Sequence, residues 1–301
     1  MDVHYVTLDV FTDSVFGGNP LAVIPDGRVL SDSHMQSIAN EFNLSETTFV
    51  LPPRDASHSH RVRIFTPVDE LEFAGHPTLG TAVALALADA DTQTSRTLLL
   101  EEGVGVVPVT VSNVSPGRAY AELSVAQLPV KRDSDLPLRA WAEALGLETG
   151  DVAADVVAPA HWSCGAQFAF VALGSLAALE RAATNASDWT RSFGDSGSAG
   201  IFAFTFETGD DSVDVRARMF APAHGIPEDP ATGSAAAALA GALTEYQALS
   251  DGTHRWRVVQ GVEMGRPSTL AVSADVAAGT LTAVRVGGFA VAVSRGTLTL
   301  P

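Results

Sequence analysis

Short apolar runs separated by polar turns fill the first part of the chain. Val3–Val10, Leu21–Ile24, Thr47–Leu51 and Arg61–Phe65 have the β-branched content and length of strands. Met35, Ile38, Ala39 and Phe42 recur at helical spacing behind Ser31-Asp32-Ser33, which supplies an N-cap. Two later stretches break this pattern. Thr78–Ala90 is apolar on every side, and so is the alanine-rich Gly233–Leu243. A helix with no polar face has to be enclosed by other elements, and alanine lets those elements come close. Leu138–Leu147 reads as a further helix that stops at Gly150. Thr269–Ala274 and Thr280–Leu300 alternate as strands, with Gly279 and Gly287-Gly288 at turns or bulges. Many short strands with two enclosed helices predict an α+β fold.

The chain also resembles itself. Arg63-Ile64-Phe65-Thr66-Pro67 recurs as Arg218-Met219-Phe220-Ala221-Pro222, displaced by 155 residues. His76-Pro77-Thr78-Leu79-Gly80-Thr81-Ala82 recurs as Asp229-Pro230-Ala231-Thr232-Gly233-Ser234-Ala235, displaced by 153. A displacement of about half the 301 residues predicts two related domains rather than a solenoid of short repeats. Each would be a curled sheet wrapped around one central helix. The polar connection Pro129–Pro137 sets the boundary, giving domains 1–130 and 131–301. The pattern leaves open whether the final strand returns to the first domain.

Composition narrows the partners. A net charge of −17 disfavours nucleic acid and anionic membrane, which need a cationic surface. No apolar stretch reaches the ~18–20 residues that span a bilayer, and the N-terminus lacks a basic and apolar leader, so the expectation is a soluble cytoplasmic protein. The single cysteine, Cys164, excludes an intrachain disulfide framework and any multi-cysteine metal site. There is no phosphate-binding loop, no dinucleotide fingerprint and no zinc helix, so no cofactor or metal is expected. His58-Ser59-His60 lacks an evident third ligand. Cys164 precedes Gly165 in an apolar segment, as a buried structural thiol would.

Both enclosed helices open on turn residues, Gly75-His76-Pro77-Thr78 and Asp229-Pro230-Ala231-Thr232-Gly233-Ser234. The first amides of a helix lack partners and carry partial positive charge, so each start is a potential carboxylate site. Two such starts facing a common cleft would enclose a small acid. Glu46 stands where a helix gives way to an apolar strand, and poor solvation there would bring a carboxyl toward proton-transfer chemistry. His76 can oppose a charge or donate a hydrogen bond, and Asp229 can accept from a substrate or orient His76. Taken singly, each has a structural reading: an edge-strand charge, a satisfied loop histidine and a helix cap. Asn19, after Phe16-Gly17-Gly18, belongs either to the site or to a turn. Glu263–Ser268 either lines the cleft or carries an Arg–Glu pair.

The motifs Gly18-Asn19-Pro20, Asn43-Leu44-Ser45-Glu46-Thr47, Arg63–Pro67, Gly75-His76-Pro77-Thr78-Leu79-Gly80, Asp229–Ala235 and Gln260–Ser268 together resemble the PhzF (phenazine-biosynthesis-like) family, over nearly the whole chain and in order. The resemblance implies a diaminopimelate-epimerase-like fold of two pseudo-symmetric domains, with the site in the cleft between them. It implies Glu46, His76 and Asp229 as catalytic residues and Asn19, Ser45, Gly75, Gly233 and Ser234 as substrate-binding ones. In the family's characterised isomerase the equivalent glutamate shuttles a proton on dihydro-3-hydroxyanthranilate. Family members are often homodimers, so a homodimer is expected by resemblance. The cysteine pair of amino-acid epimerases with this fold is absent from both helix starts.

These readings converge on a cofactor-independent isomerase acting on a small cyclic or amino-acid-like carboxylate. The rival enzyme is an epimerase or racemase with Glu46 and Asp229 as opposed bases. A protein that binds a small acid without turning it over is the third possibility.

Overall fold

A computed structural model of the chain describes residues 1–89 and 95–300. They form two compact units: Met1–Ser124 with Gly287–Pro301, and Val125–Val286. The C-terminal segment therefore belongs with the first unit and not with residues 131–286.

The first unit contains β1 (Asp2–Val10), β2 (Asn19–Ile24), α1 (Asp32–Phe42), β3 (Glu46–Leu51), β4 (His60–Phe65), β5 (Glu70–Leu71), α2 (Gly75–Ala88), β6 (Arg96–Glu102), β7 (Gly105–Ser115) and β8 (Arg118–Ser124). β1 pairs antiparallel with β2, β2 parallel with β3, β3 antiparallel with β4, and β4 parallel with β6. The meander β6–β7–β8 continues the sheet. The C-terminal strand, Thr280–Thr299, pairs with both β8 and β1 and closes the ring. α2 lies inside that ring, touching β1, β2, β3, β7 and β8. His76–Val83 and Ala86 are buried, as an all-apolar helix requires, and only the last turn emerges. Ala90, the expected end of that helix, lies outside the described residues. Gly80 is needed by close approach: a Cβ there would stand 2.5 Å from Leu21 Cδ2 and 2.7 Å from Val10 Cγ2.

In the second unit the order is β9 (Val130–Arg132), α3 (Leu138–Glu143), β10 (Ala160–Cys164), β11 (Ala166–Ala172), α4 (Leu176–Arg181), α5 (Ala186–Phe193), β12 (Gly200–Thr205), β13 (Val215–Ala221), β14 (Ile226–Asp229), α6 (Gly233–Gln247), β15 (Gly252–Gln260), β16 (Ser268–Ala277) and the start of β17 (Thr280–Thr299). α3 is shorter than the expected helix and gives way to a turn with Gly146 at φ 64°. The pairings repeat those of the first unit: β10 antiparallel to β11, β11 parallel to β12, β12 antiparallel to β13, and β13 parallel to β15. α6 packs on β9, β10, β11 and β16, with Ala235–Leu243 buried. Among the described residues no helix is long and apolar enough to cross a membrane.

The recurring Arg-x-Phe-x-Pro stretch has the same job in each unit. Arg63 holds Glu70 through two hydrogen bonds of 2.6 Å, clasping β4 to β5 just before α2. Arg218 holds Glu228 through two of 2.8 Å, clasping β13 to β14 just before α6. Arg218 also donates to the carbonyls of Leu179, Glu180 and Ala182 at the end of α4. Gly287 and Gly288 do not interrupt β17. Gly287 instead makes room for Tyr120, whose Oη would lie 2.5 Å from a Cβ.

Candidate functional site

In the first unit a helix stop delivers the carboxyl. α1 ends at Asn43 in the left-handed conformation (φ 51°), which asparagine tolerates, and its amide donates to the Ala39 carbonyl. Two residues later β3 opens on Glu46, paired with Leu21 of β2. β3 lies between β2 and β4, so Glu46 is no edge-strand charge. A buried hydrogen bond of 2.8 Å between the Thr48 and Thr81 hydroxyls ties β3 to α2.

On α2, His76 is 6% exposed and stands in the first turn rather than in a loop. Its Nε2 lies 3.5 Å from Glu46 Oε2, too long for a good hydrogen bond. Nε2 has no hydrogen-bond partner among the described residues, so the bond the ring makes to the Pro20 carbonyl uses Nδ1–H. Burial lowers the His76 pKa to about 3, with the Pro20 bond opposing that shift. The imidazole is therefore neutral at ordinary pH, with an Nε2 lone pair aimed at the Glu46 carboxyl. That lone pair can accept a hydrogen bond from a protonated carboxyl without the ring becoming charged.

Asn19 is fully buried at the head of β2, immediately before the proline whose carbonyl holds His76. The loop leading to it is tightly built. Phe11, Phe16 and Gly18 have positive φ, and Asp9 Oδ2 accepts from the Phe16 amide at 2.6 Å. Ser45 precedes Glu46 and is partly buried, as is Gly75 at the start of α2. Asn19, Ser45, Glu46, Gly75 and His76 thus belong to one unit.

Asp229, Gly233 and Ser234 belong to the other. Asp229 closes β14 and is 7% exposed. It is not the helix cap, because Thr232 occupies that position. Thr232 Oγ1 donates to Asp229 Oδ2 at 2.5 Å. Gln260, fully buried at the end of β15, donates to the Asp229 carbonyl at 2.7 Å and to Thr232 Oγ1 at 3.2 Å. Its Oε1 accepts from the Thr232 amide at 3.3 Å. Gly233 and Ser234 form the first turn of α6. Neither α2 nor α6 has a side-chain cap, whereas Ser31, Ser175 and Asn185 cap α1, α4 and α5. The two enclosed helices thus leave first-turn amides available to a ligand.

Other candidates fall elsewhere. His58 Nδ1 bonds to Glu101 Oε1 at 2.8 Å. Burial pushes the Cys164 thiol up to about 12, which makes it unreactive. Glu263 makes an Arg–Glu pair with Arg216 at 2.7 Å. Sequence reasoning missed Gln260 as the residue that ties Asp229, and Glu102 beside Thr78. A signal for both was present: Glu102-Gly103 recurs as Gln260-Gly261, displaced by 158 residues.

Residues 8–296 match the family model described as phenazine biosynthesis-like protein. An uncharacterized isomerase of Mesorhizobium japonicum is 39% identical, with 98% of each chain covered. The trans-2,3-dihydro-3-hydroxyanthranilate isomerase of Pseudomonas chlororaphis is 36% identical over 99% of each chain. A Bacillus anthracis phenazine biosynthesis protein of the PhzF family superposes with a TM-score of 0.91 at 25% identity, each chain covered completely.

Proposed function

The chain belongs to the phenazine biosynthesis-like (PhzF) family and is an isomerase of it, and from that premise we propose that Glu46 moves a proton on a small carboxylated substrate without a cofactor. The observation that carries this reading is the enclosed Glu46–His76 pair, with a neutral imidazole lone pair 3.5 Å from the carboxyl.

Glu46 removes a proton from an activated carbon of the substrate and returns it at a conjugated position on the same face. One carboxyl suffices for both steps, because it becomes the acid once it has acted as the base. His76 stays neutral and offers Nε2 as a hydrogen-bond acceptor, which holds Glu46 in place while it carries the proton. The uncapped amides at Gly233 and Ser234 hold the substrate carboxylate, with Gly75, Ser45 and Asn19 contributing polar contacts. Asp229, fixed by Thr232 and Gln260, accepts from a substrate amine or hydroxyl. The Thr232 bond to its carboxylate favours this accepting role over that of a second, opposed base.

The relatives named for trans-2,3-dihydro-3-hydroxyanthranilate make that compound the first to test. The experiment is turnover in D₂O followed by NMR. A same-face shift leaves at most one solvent deuterium, at the newly protonated carbon. Deuterium at a single inverted carbon identifies an epimerase. Binding without exchange identifies a small-acid binder.

A further inference from the structure

Glu102 is a buried carboxyl with no part in the chemistry above, and its surroundings state which protonation form it holds. The Thr78 hydroxyl stands 2.7 Å from the Ala74 carbonyl and 2.8 Å from Glu102 Oε1. A hydroxyl has one proton to give. The Ala74 carbonyl can only accept, so Thr78 donates there. The contact with Glu102 is then a hydrogen bond only if Glu102 carries a proton and donates it to Thr78 Oγ1. The other carboxyl oxygen, Oε2, is cut off from solvent and has no hydrogen-bond partner among the described residues. A carboxylate would be stranded there.

The second unit supplies an independent comparison. β4 pairs with β6 so that Arg61 stands opposite Glu101, and β13 pairs with β15 so that Arg216 stands opposite Val259. The recurring Arg-x-Phe-x-Pro stretch makes Arg61 the counterpart of Arg216, so Glu102 is the counterpart of Gln260. Each is followed by a glycine pressed against the backbone ahead of the enclosed helix. A Cβ on Gly103 would lie 2.7 Å from Glu72 Cα, and one on Gly261 would lie 2.6 Å from the Pro230 oxygen. In the second unit the Gln260 amide donates to the Thr232 hydroxyl, which donates to Asp229. In the first unit the same relay runs from Glu102 through Thr78 to Ala74. The residue that serves at this place in the second unit is an uncharged donor.

We propose that Glu102 is a positioning residue for His76: held as the neutral acid, it donates to Thr78, which locks the Ala74 carbonyl and sets the first turn of α2. The role assigned to His76 rests on the function proposed above, while the protonation of Glu102 does not. Burial raises the Glu102 pKa to about 8. Among the described residues, what faces this carboxyl is Thr78 from α2. The neighbouring Glu101 is engaged with His58 and with the amides of Arg54 and Asp55. Among the described residues no cation is paired with Glu102.

The test compares wild type with Glu102→Gln, which keeps the donor and cannot ionise, and Glu102→Leu, which removes it. The folded chain keeps a proton that the unfolded chain loses near 4.5. Wild-type stability therefore falls as pH rises from about 4.5 to about 8 and levels off above that. The expected result is a thermal midpoint in wild type that drops by several degrees relative to Glu102→Gln across this window. In ring-labelled NMR at pH 7, His76 resonances should move in Glu102→Leu and stay in Glu102→Gln. On trans-2,3-dihydro-3-hydroxyanthranilate, Glu102→Leu should lose about 10- to 100-fold in kcat with little change in KM. Glu102→Gln should keep kcat near wild type and hold it flat above pH 8, where ionisation of Glu102 should lower the wild-type value. Parallel stability profiles for wild type and Glu102→Gln overturn the proposal. So does an unmoved His76 spectrum in a folded Glu102→Leu. If wild type does not turn over that compound, the substrate reading fails, while the stability and NMR arms still decide the role of Glu102.

Discussion

The starts of α2 and α6 are built on one plan and equipped differently. Each follows a short hairpin clasped by an arginine and a glutamate, lacks a side-chain cap, and is tied by the last residue of the strand that pairs parallel to that hairpin's first strand. At α2 the plan presents a neutral imidazole beside a carboxyl that has an unengaged lone pair to meet. At α6 it presents an aspartate already held by a threonine hydroxyl and a glutamine amide. On the function proposed above, a proton carrier has to change its charge during turnover, and a neutral imidazole beside the carboxyl suits that change. The second fixes its aspartate at both the carboxylate, through Thr232, and the backbone carbonyl, through Gln260, which suits recognition. Duplicated scaffolding thus leaves two helix starts free to specialise.

Several substitutions would break or sharpen this contrast. The largest expected effect is on turnover: Glu46→Gln should cost about 10²–10⁴-fold in kcat with the fold intact, as measured on any proven substrate. Asp229→Asn should act mainly through KM. Equal kcat losses at both positions would put proton transfer on both units and favour the opposed-base mechanism.

The clasps come next. Arg218 is 9% exposed and Glu228 15%, with three carbonyls also depending on the guanidinium. Arg218→Ala should destabilise by about 3–5 kcal/mol in denaturant titration, because it leaves a buried carboxylate unpaired. Gly261→Ala should lose about 1–3 kcal/mol, since φ is +76° and the Arg266 and Pro230 oxygens lie within 2.6 Å of the added methyl. The smallest effect should come from Arg63→Ala, at about 1 kcal/mol or less. Its partners Glu70 and Asp32 are 42% and 85% exposed, and water replaces the lost pair. Comparable losses for Arg63→Ala and Arg218→Ala would show that exposure does not separate the two clasps.

Much of this molecule was legible before folding. Ser31 as a cap, α1 through Phe42, the two all-apolar helices and the strand runs are local signals, carried by residues within one or two turns of each other. The repeat of Arg63–Pro67 as Arg218–Pro222 was legible too, although its clasping glutamates were not. Glu70 and Glu228 stand seven and ten residues after their arginines, and only the hairpin brings them back. Gly287-Gly288 make no turn, because β17 runs on through them and Gly287 there answers a tyrosine from another strand. Gln260 stood in a family motif, but its tie to Asp229 and Thr232 was not legible, because those partners are nearly thirty residues away or more.

Amino-acid order alone determined which segments had to be enclosed, that the plan occurs twice, and which family motifs stand at Glu46, His76 and Asp229. The tertiary structure decided the electrical state of His76 and of Glu102. Whether an imidazole is neutral, which of its nitrogens holds the proton, and whether Glu102 can ionise all depend on what surrounds each atom when water is gone. Those neighbours come from strands far apart in the chain, so strand register sets the chemistry that local pattern can only nominate.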